Sequence, residues 1–186
     1  MSVLFTALFS GMEIIWDRRF GFLKETLVAP VSRLEIMIGR TLGGATVAVI
    51  QGLIVLGISF FMGFRPVGFW ALLLGLIFMC LVALLFSALG VAIASALDDM
   101  QGFQLIMNFL VMPLFFLSGA IFPLQDLPPA MSVITRLDPL SYGVDGMRGA
   151  LTNAYHFGLP ADLLVLIILT GVCLVIGSIL FAKTPA

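Results

Sequence analysis

Ser118 and His156 are the first residues to weigh as chemistry, because a serine beside an apolar run and the only histidine of the chain suggest an intramembrane hydrolase. A rhomboid-type serine protease carries glycine two residues before its serine, and here that position is Phe116, in Phe116-Leu117-Ser118-Gly119. The pattern is not met. A single histidine also excludes a multi-histidine metal site. Cys80 and Cys173 lie inside separate apolar runs and read as small hydrophobes. No GxxxxGK[ST] occurs, so the chain does not hold ATP phosphates through that loop. Ion-coupled carriers place acids, histidines or lysines within their spans. The apolar runs here are almost free of them, which speaks against proton or sodium coupling. Two polar pairs remain. Gln104 and Asn108 sit one helical turn apart and share a face, which suits interhelical hydrogen bonds or a polar path. Asp145 and Arg148, three apart, can pair on one short helix.

The elements that must position these residues are set by composition. The 186 residues are 61% hydrophobic and 10% charged, with mean hydropathy +1.20. Soluble domains carry about 25% charged residues. The chain is therefore an all-α integral membrane protein, and the lipid bilayer is its first partner. A net charge of -1 offers no basic face for nucleic acid.

Charge is concentrated in one stretch. Residues 17–40 hold Arg18, Arg19, Lys24, Arg33 and Arg40, five of the nine basic residues, together with Asp17, Glu25 and Glu35. Phe20, Leu23 and Leu27 recur at helical spacing, with the charges largely elsewhere around the wheel. That predicts a short amphipathic helix on the membrane surface, ended by Pro30. Ser32 and Glu35 have capping-box spacing and predict the start of the next helix.

Around this stretch the chain reads as about five spans. Residues 1–16 form a partial span, since about 16 residues reach only about 24 Å of the ~30 Å hydrocarbon core. It reads as the end of a span whose beginning is missing, from a fragment or from a start placed at an internal methionine. Residues 17–31 are the charged segment. Residues 32–64, 66–97, 100–122 and 161–182 are spans, the fourth apolar run kinked at Pro113. Gly39 and Gly43 form a GxxxG that permits close helix approach. Residues 123–158 are an external segment of two short helices, about 128–136 and 139–153, punctuated by Pro123, Pro128, Pro129 and Pro139. Asp126 and Asp138 are placed as N-caps with proline in the first turn. Broken helices at membrane depth must be buried in protein or line water.

Orientation follows from the lysines and arginines. Arg18, Arg19, Lys24, Arg33, Arg40 and Lys183 lie on one side; Arg65, Arg136 and Arg148 lie on the other. The 17–40 stretch and the C-terminus are thus expected in the cytoplasm, in a multi-pass protein of the cytoplasmic membrane.

Two segments carry a resemblance to a known family. WDRRFGFLKETLVAPVSRLEIMIGR and FLSGAIFPLQDLPPAMSVITRLDPLSYGVDGMRGAL together make up about a third of the chain. They are similar to motifs in the permease subunits of type-2 ATP-binding-cassette exporters, the group of the daunorubicin-resistance and nodulation-factor export permeases. The resemblance implies six spans per subunit, with an interfacial helix and the first span absent here, so that the chain is N-terminally truncated. It implies that Arg18, Arg19, Phe20, Gly21, Phe22, Leu23, Lys24, Glu25 and Leu27 form a coupling helix that docks on a separate nucleotide-binding ATPase subunit. It implies two re-entrant helices before the last span, in a segment containing Ser118, Gly119, Pro123, Asp126, Pro128, Asp138, Pro139, Tyr142, Asp145 and Arg148. A second permease subunit, identical or related, would complete the translocation path. The chain would hold no cofactor and would not be an enzyme; ATP and Mg would be bound by the partner ATPase. The competing readings are an inactive fragment or structural membrane protein, and an ion-coupled carrier.

Overall fold

A computed structural model describes residues 1–22, 31–121, 129–153 and 155–182. Within them the chain is helical: α1 (Ser2–Phe9), α2 (Met12–Phe20), α3 (Arg33–Phe61), α4 (Phe69–Ser95), α5 (Met100–Leu117), α6 (Pro129–Leu137), α7 (Pro139–Thr152) and α8 (Leu159–Ala182). Four of these, α3, α4, α5 and α8, are long and apolar enough to cross a membrane. With 18 to 29 residues they reach about 27 to 44 Å. The protein is an all-α integral membrane protein.

α4 is the axis of the bundle. Gly75, Phe78, Val82, Phe86, Gly90 and Ala94 are among its buried residues, and α1, α3, α7 and α8 all pack against it. α3 and α8 instead turn large apolar side chains outward, among them Val47, Ile50, Ile54, Ile167, Ile168 and Val175. In a bilayer such surfaces meet lipid or another helix rather than water.

The helix ends follow local chemistry. Ser32 Oγ accepts from the Glu35 N–H (3.2 Å), and the Ser32 N–H donates to Glu35 Oε2 (2.6 Å). The predicted capping box therefore starts α3. Asp99 caps α5 by accepting from the Gly102 N–H (2.9 Å). Asp138 caps α7 by accepting from the Leu140 N–H (2.8 Å), with Pro139 in the first turn. The observed helices are shorter at some ends than the predicted spans: α3 stops at Phe61, α4 runs from Phe69 to Ser95, and α5 stops at Leu117.

Two points of packing stand out. Residues 2–20 are helical on both sides of a short turn whose residues keep right-handed helical dihedrals. The turn is Ser10–Gly11, where Gly11 lies so close to α4 that a methyl there would overlap the Gly90 carbonyl. A methyl at Gly90 would likewise overlap the Leu8 carbonyl. Ser10 Oγ sits 3.1 Å from Ser87 Oγ, and the Ser87 hydroxyl donates to Thr41 O (3.0 Å), so hydroxyls join three helices at this crossing. The GxxxG of α3 is not the packed face. Nothing lies within 4 Å of a Cβ built at Gly39 or Gly43. Gly44, Ala48 and Gly52 are the small residues that face neighbours, one register over from the predicted pair.

Candidate functional site

At one end of the bundle lie the N-terminus of α3, the C-termini of α2, α4 and α8, and the α4–α5 corner. Here the predicted docking helix is rearranged. Arg18, Arg19 and Phe20 belong to α2, which begins at Met12 and stops at Gly21 in the left-handed conformation (φ 83°). Glycine takes that conformation without the Cβ clash other residues meet, so it closes the helix. Leu23, Lys24, Glu25 and Leu27 fall outside the described residues.

The charges of α2 divide by face. Arg18 points into the bundle. Its Nη1 donates to Leu97 O (3.0 Å) and to the Asp98 carboxylate, and its Nη2 donates to Ser95 O (3.3 Å). Its side chain is only 17% exposed, whereas that of Asp98 is 86% exposed. Cations favour the negative end of a helix dipole. Since α4 has no basic residue in its last turn, Arg18 supplies that charge from another helix. Asp17 pairs with Arg40 of α3, and Glu13 lies 3.7 Å from the same guanidinium. The Arg33 guanidinium sits over the Phe181 ring of α8 at 5.8 Å. Arg19, by contrast, is exposed, as are Phe20 and Phe22 at 59% each. Trp16 stacks on Phe20 with ring centroids 5.2 Å apart.

At the other end, the polar groups of 118–162 turn to the backbone. The expected Asp145–Arg148 pair is not formed. Asp145 is buried, and its two oxygens accept from the His156 N–H (2.8 and 2.9 Å) and the Phe157 N–H (2.8 Å). Arg148 reaches back to donate to Gly119 O (2.7 Å). The two donors that Asp145 takes lie beyond α7, in the connection to α8, where spacing along one helix could not reveal them. Tyr142 donates to Arg136 O (2.7 Å) and stacks on Phe157 at 4.8 Å. Ser118 is buried and gives its hydroxyl proton to Phe115 O (2.8 Å), so it is not paired with His156, whose ring meets Phe157 edge-on. That geometry has no serine–histidine dyad. Pro123, Asp126 and Pro128 lie outside the described residues; Pro139 is the first residue of α7.

Asp162 is the residue the sequence reading passed over. It lies in the first turn of α8, fully buried, and neither carboxylate oxygen has a hydrogen-bond donor. The Asp145 carboxyl is its neighbour, within hydrogen-bonding reach. A single acid just after Pro160, at the mouth of a long apolar run, was the available signal.

Gln104 and Asn108 are exposed on the outer side of α5. Within the described chain they neither pair with another helix nor line a cavity. A cavity of about 510 Å³ lies between α1, α3, α4 and α7. It is lined mainly by apolar side chains such as Val55, Leu72, Met79 and Val144, with Arg148 at its polar edge. Among the described residues, no group of three or more His, Cys, Asp or Glu could hold a metal.

Comparison with known proteins agrees with this architecture. A family model described as "ABC-2 type transporter" matches residues 1–152. The putative transport permease ycf38 of Pyropia yezoensis is 33% identical over 146 residues, covering 76% of this chain and 49% of the relative. The inner membrane transport permease YadH of Escherichia coli K12 is 32% identical over 129 residues, covering 68% and 48%. Nodulation protein J of Rhizobium meliloti is 28% identical over 128 residues, covering 67% and 48%. The chain spans about half the length of these relatives.

Proposed function

Because the chain belongs to the ABC-2 type transporter family, and is a multi-pass membrane protein of transport-permease type, we propose that it forms membrane-spanning structure of an ATP-driven exporter. Hydrolysis belongs to a separate nucleotide-binding subunit, which holds ATP and Mg. The observation that carries this reading is the division of charge on α2. Arg19 and Phe20 are exposed in the last turn of α2, and Phe22 is exposed just beyond it, while Asp17 and Arg18 of the same helix pair with α3 and the α4–α5 corner. A cation flanked by aromatic rings fits an acidic, apolar groove on a soluble ATPase. Lys24 and Glu25 follow directly in the sequence. ATP-driven closure of the ATPase pair displaces this surface, and transport follows only if the two membrane states contact the ATPase differently.

A second permease subunit completes the path. Gln104 and Asn108 support this, because amides on an outward face of an apolar helix lack partners in hydrocarbon, and a neighbouring helix can supply them. The short helices α6 and α7 enter the membrane from the external side and return. The end carrying residues 17–40 is cytoplasmic, as is the C-terminus.

Two experiments test the assignment in the full-length protein. Arg19→Asp combined with Phe20→Ala and Phe22→Ala abolishes co-purification of the ATPase while membrane insertion is kept. Unchanged co-purification sinks the docking surface. A cysteine replacing the exposed Arg65, between α3 and α4, is labelled in intact cells by an impermeant thiol reagent. Labelling only after lysis reverses the topology.

A further inference from the structure

Arg18 and Arg19 are consecutive, yet one is engaged inside the bundle and the other faces out. The docking reading uses Arg19 and leaves Arg18 without a task. The partners of Arg18 supply one. Ser95 O and Leu97 O are carbonyls at the C-terminal end of α4, and Asp98 is the next residue in the corner. Asp99, directly after, caps α5. One guanidinium therefore holds the single turn that joins two spans. Its planar fork reaches two carbonyls and a carboxylate together, which a single ammonium point charge cannot match. No other charged residue of α2 does this, since Asp17 and Glu13 go to Arg40 of α3.

We propose that Arg18 is the positioning residue that passes displacement of the docking segment to the α4–α5 corner, and so to α5. This rests on the docking proposal above. α5 is the natural receiver. Its exposed residues, Gln104, Leu105, Asn108 and Phe109 among them, outnumber its buried Phe103, Met107 and Val111. A helix packed so lightly against its own subunit can shift when its end is pulled, whereas α4 is far more buried, above all in its second half.

The test uses the full-length protein with its ATPase, carrying Cys80→Ala and Cys173→Ala. The reporter is a cysteine replacing the exposed Gln101 in the first turn of α5. Its thiol-labelling rate is compared without nucleotide and with ATP held on a hydrolysis-deficient ATPase. With Arg18 present, the rates differ several-fold. In Arg18→Gln the ratio falls to near one while the ATPase still co-purifies. Arg18→Lys restores part of the ratio, which separates positioning from misfolding. Three results overturn the proposal: a ratio that survives Arg18→Gln, loss of the ATPase in Arg18→Gln, or a ratio of one with Arg18 present and the ATPase bound. If the ATPase fails to co-purify with the unsubstituted protein, the docking reading falls first and this inference with it.

Discussion

At the end of the bundle formed by residues 13–40 and 95–99, charged side chains reach across helices to one another. At the end formed by residues 118–162, polar side chains reach mainly for backbone. The Arg18–Asp98 and Arg40–Asp17 pairs join residues 80 and 23 positions apart, and the Asp98 carboxylate is largely in solvent. Asp145 is buried and is held by N–H groups of a connection it helps to fold. The difference is one of exchangeability. A solvated ion pair contributes about 0–1 kcal/mol and can be broken and remade. A buried carboxylate that satisfies main-chain donors cannot move without stranding them. The first end is built to rearrange and the second to stay put.

The comparison breaks most readily on the two acids. Asp145→Ala leaves the part-buried His156 and Phe157 N–H groups without their acceptor, and should cost about 2–3 kcal/mol, near the low end of about 1–3 kcal/mol for each of the two stranded donors. Asp98→Ala removes a mostly exposed partner and should cost under about 1 kcal/mol. Thermal unfolding in detergent, followed by the fluorescence of Trp16 and Trp70, reports both. Equal losses would end the claim that the two ends differ in kind.

Much of the fold is legible in the residues, and the limits have physical causes. The capping box at Ser32–Glu35 and the Asp138-Pro139 cap could be read because both are local. The apolar runs gave the spans because hydrocarbon tolerates little else. The register of α3 was not legible: Gly39–Gly43 and Gly44–Ala48–Gly52 are equally good small-residue rows, and only the position of α1 and α4 decides between them. The same holds for Arg18 and Arg19. Consecutive residues point about 100° apart on a helix, but which one turns inward depends on a corner nearly eighty residues away. Asp145 was placed with Arg148 because spacing along one helix is visible, whereas the turn that brings His156 N–H back is not.

The end formed by residues 13–40 and 95–99 should itself be graded. Arg18→Ala should cost about 1–2 kcal/mol, because it uncovers the terminal carbonyls of α4 as well as breaking an ion pair. Asp17→Asn should cost about 0.5 kcal/mol. High salt should only reduce that smaller loss, since the two side chains are 27% and 22% exposed and a partly buried pair is screened less than a surface one. The Arg18 loss should persist in salt, because its carbonyl contacts are partly buried. If both losses vanish together in salt, Arg18 is an ordinary surface pair and its positioning role weakens.

The smallest effect is predicted at Asp162, and its sign is opposite. A carboxylate at this site has no donor to either oxygen and a second carboxyl beside it. Buried charge without a partner is costly. Asp162→Asn keeps the shape, removes the charge and provides an amide N–H aimed at Asp145. The variant should therefore unfold at the same temperature or slightly higher, a gain below about 1 kcal/mol. Asp162→Ala gives no such donor, so it should fall below the asparagine variant. A loss above about 1 kcal/mol in both Asp162→Asn and Asp162→Ala would mean that the charge itself is used. The second end would then hold a movable group after all, and its description as the fixed end would have to be withdrawn.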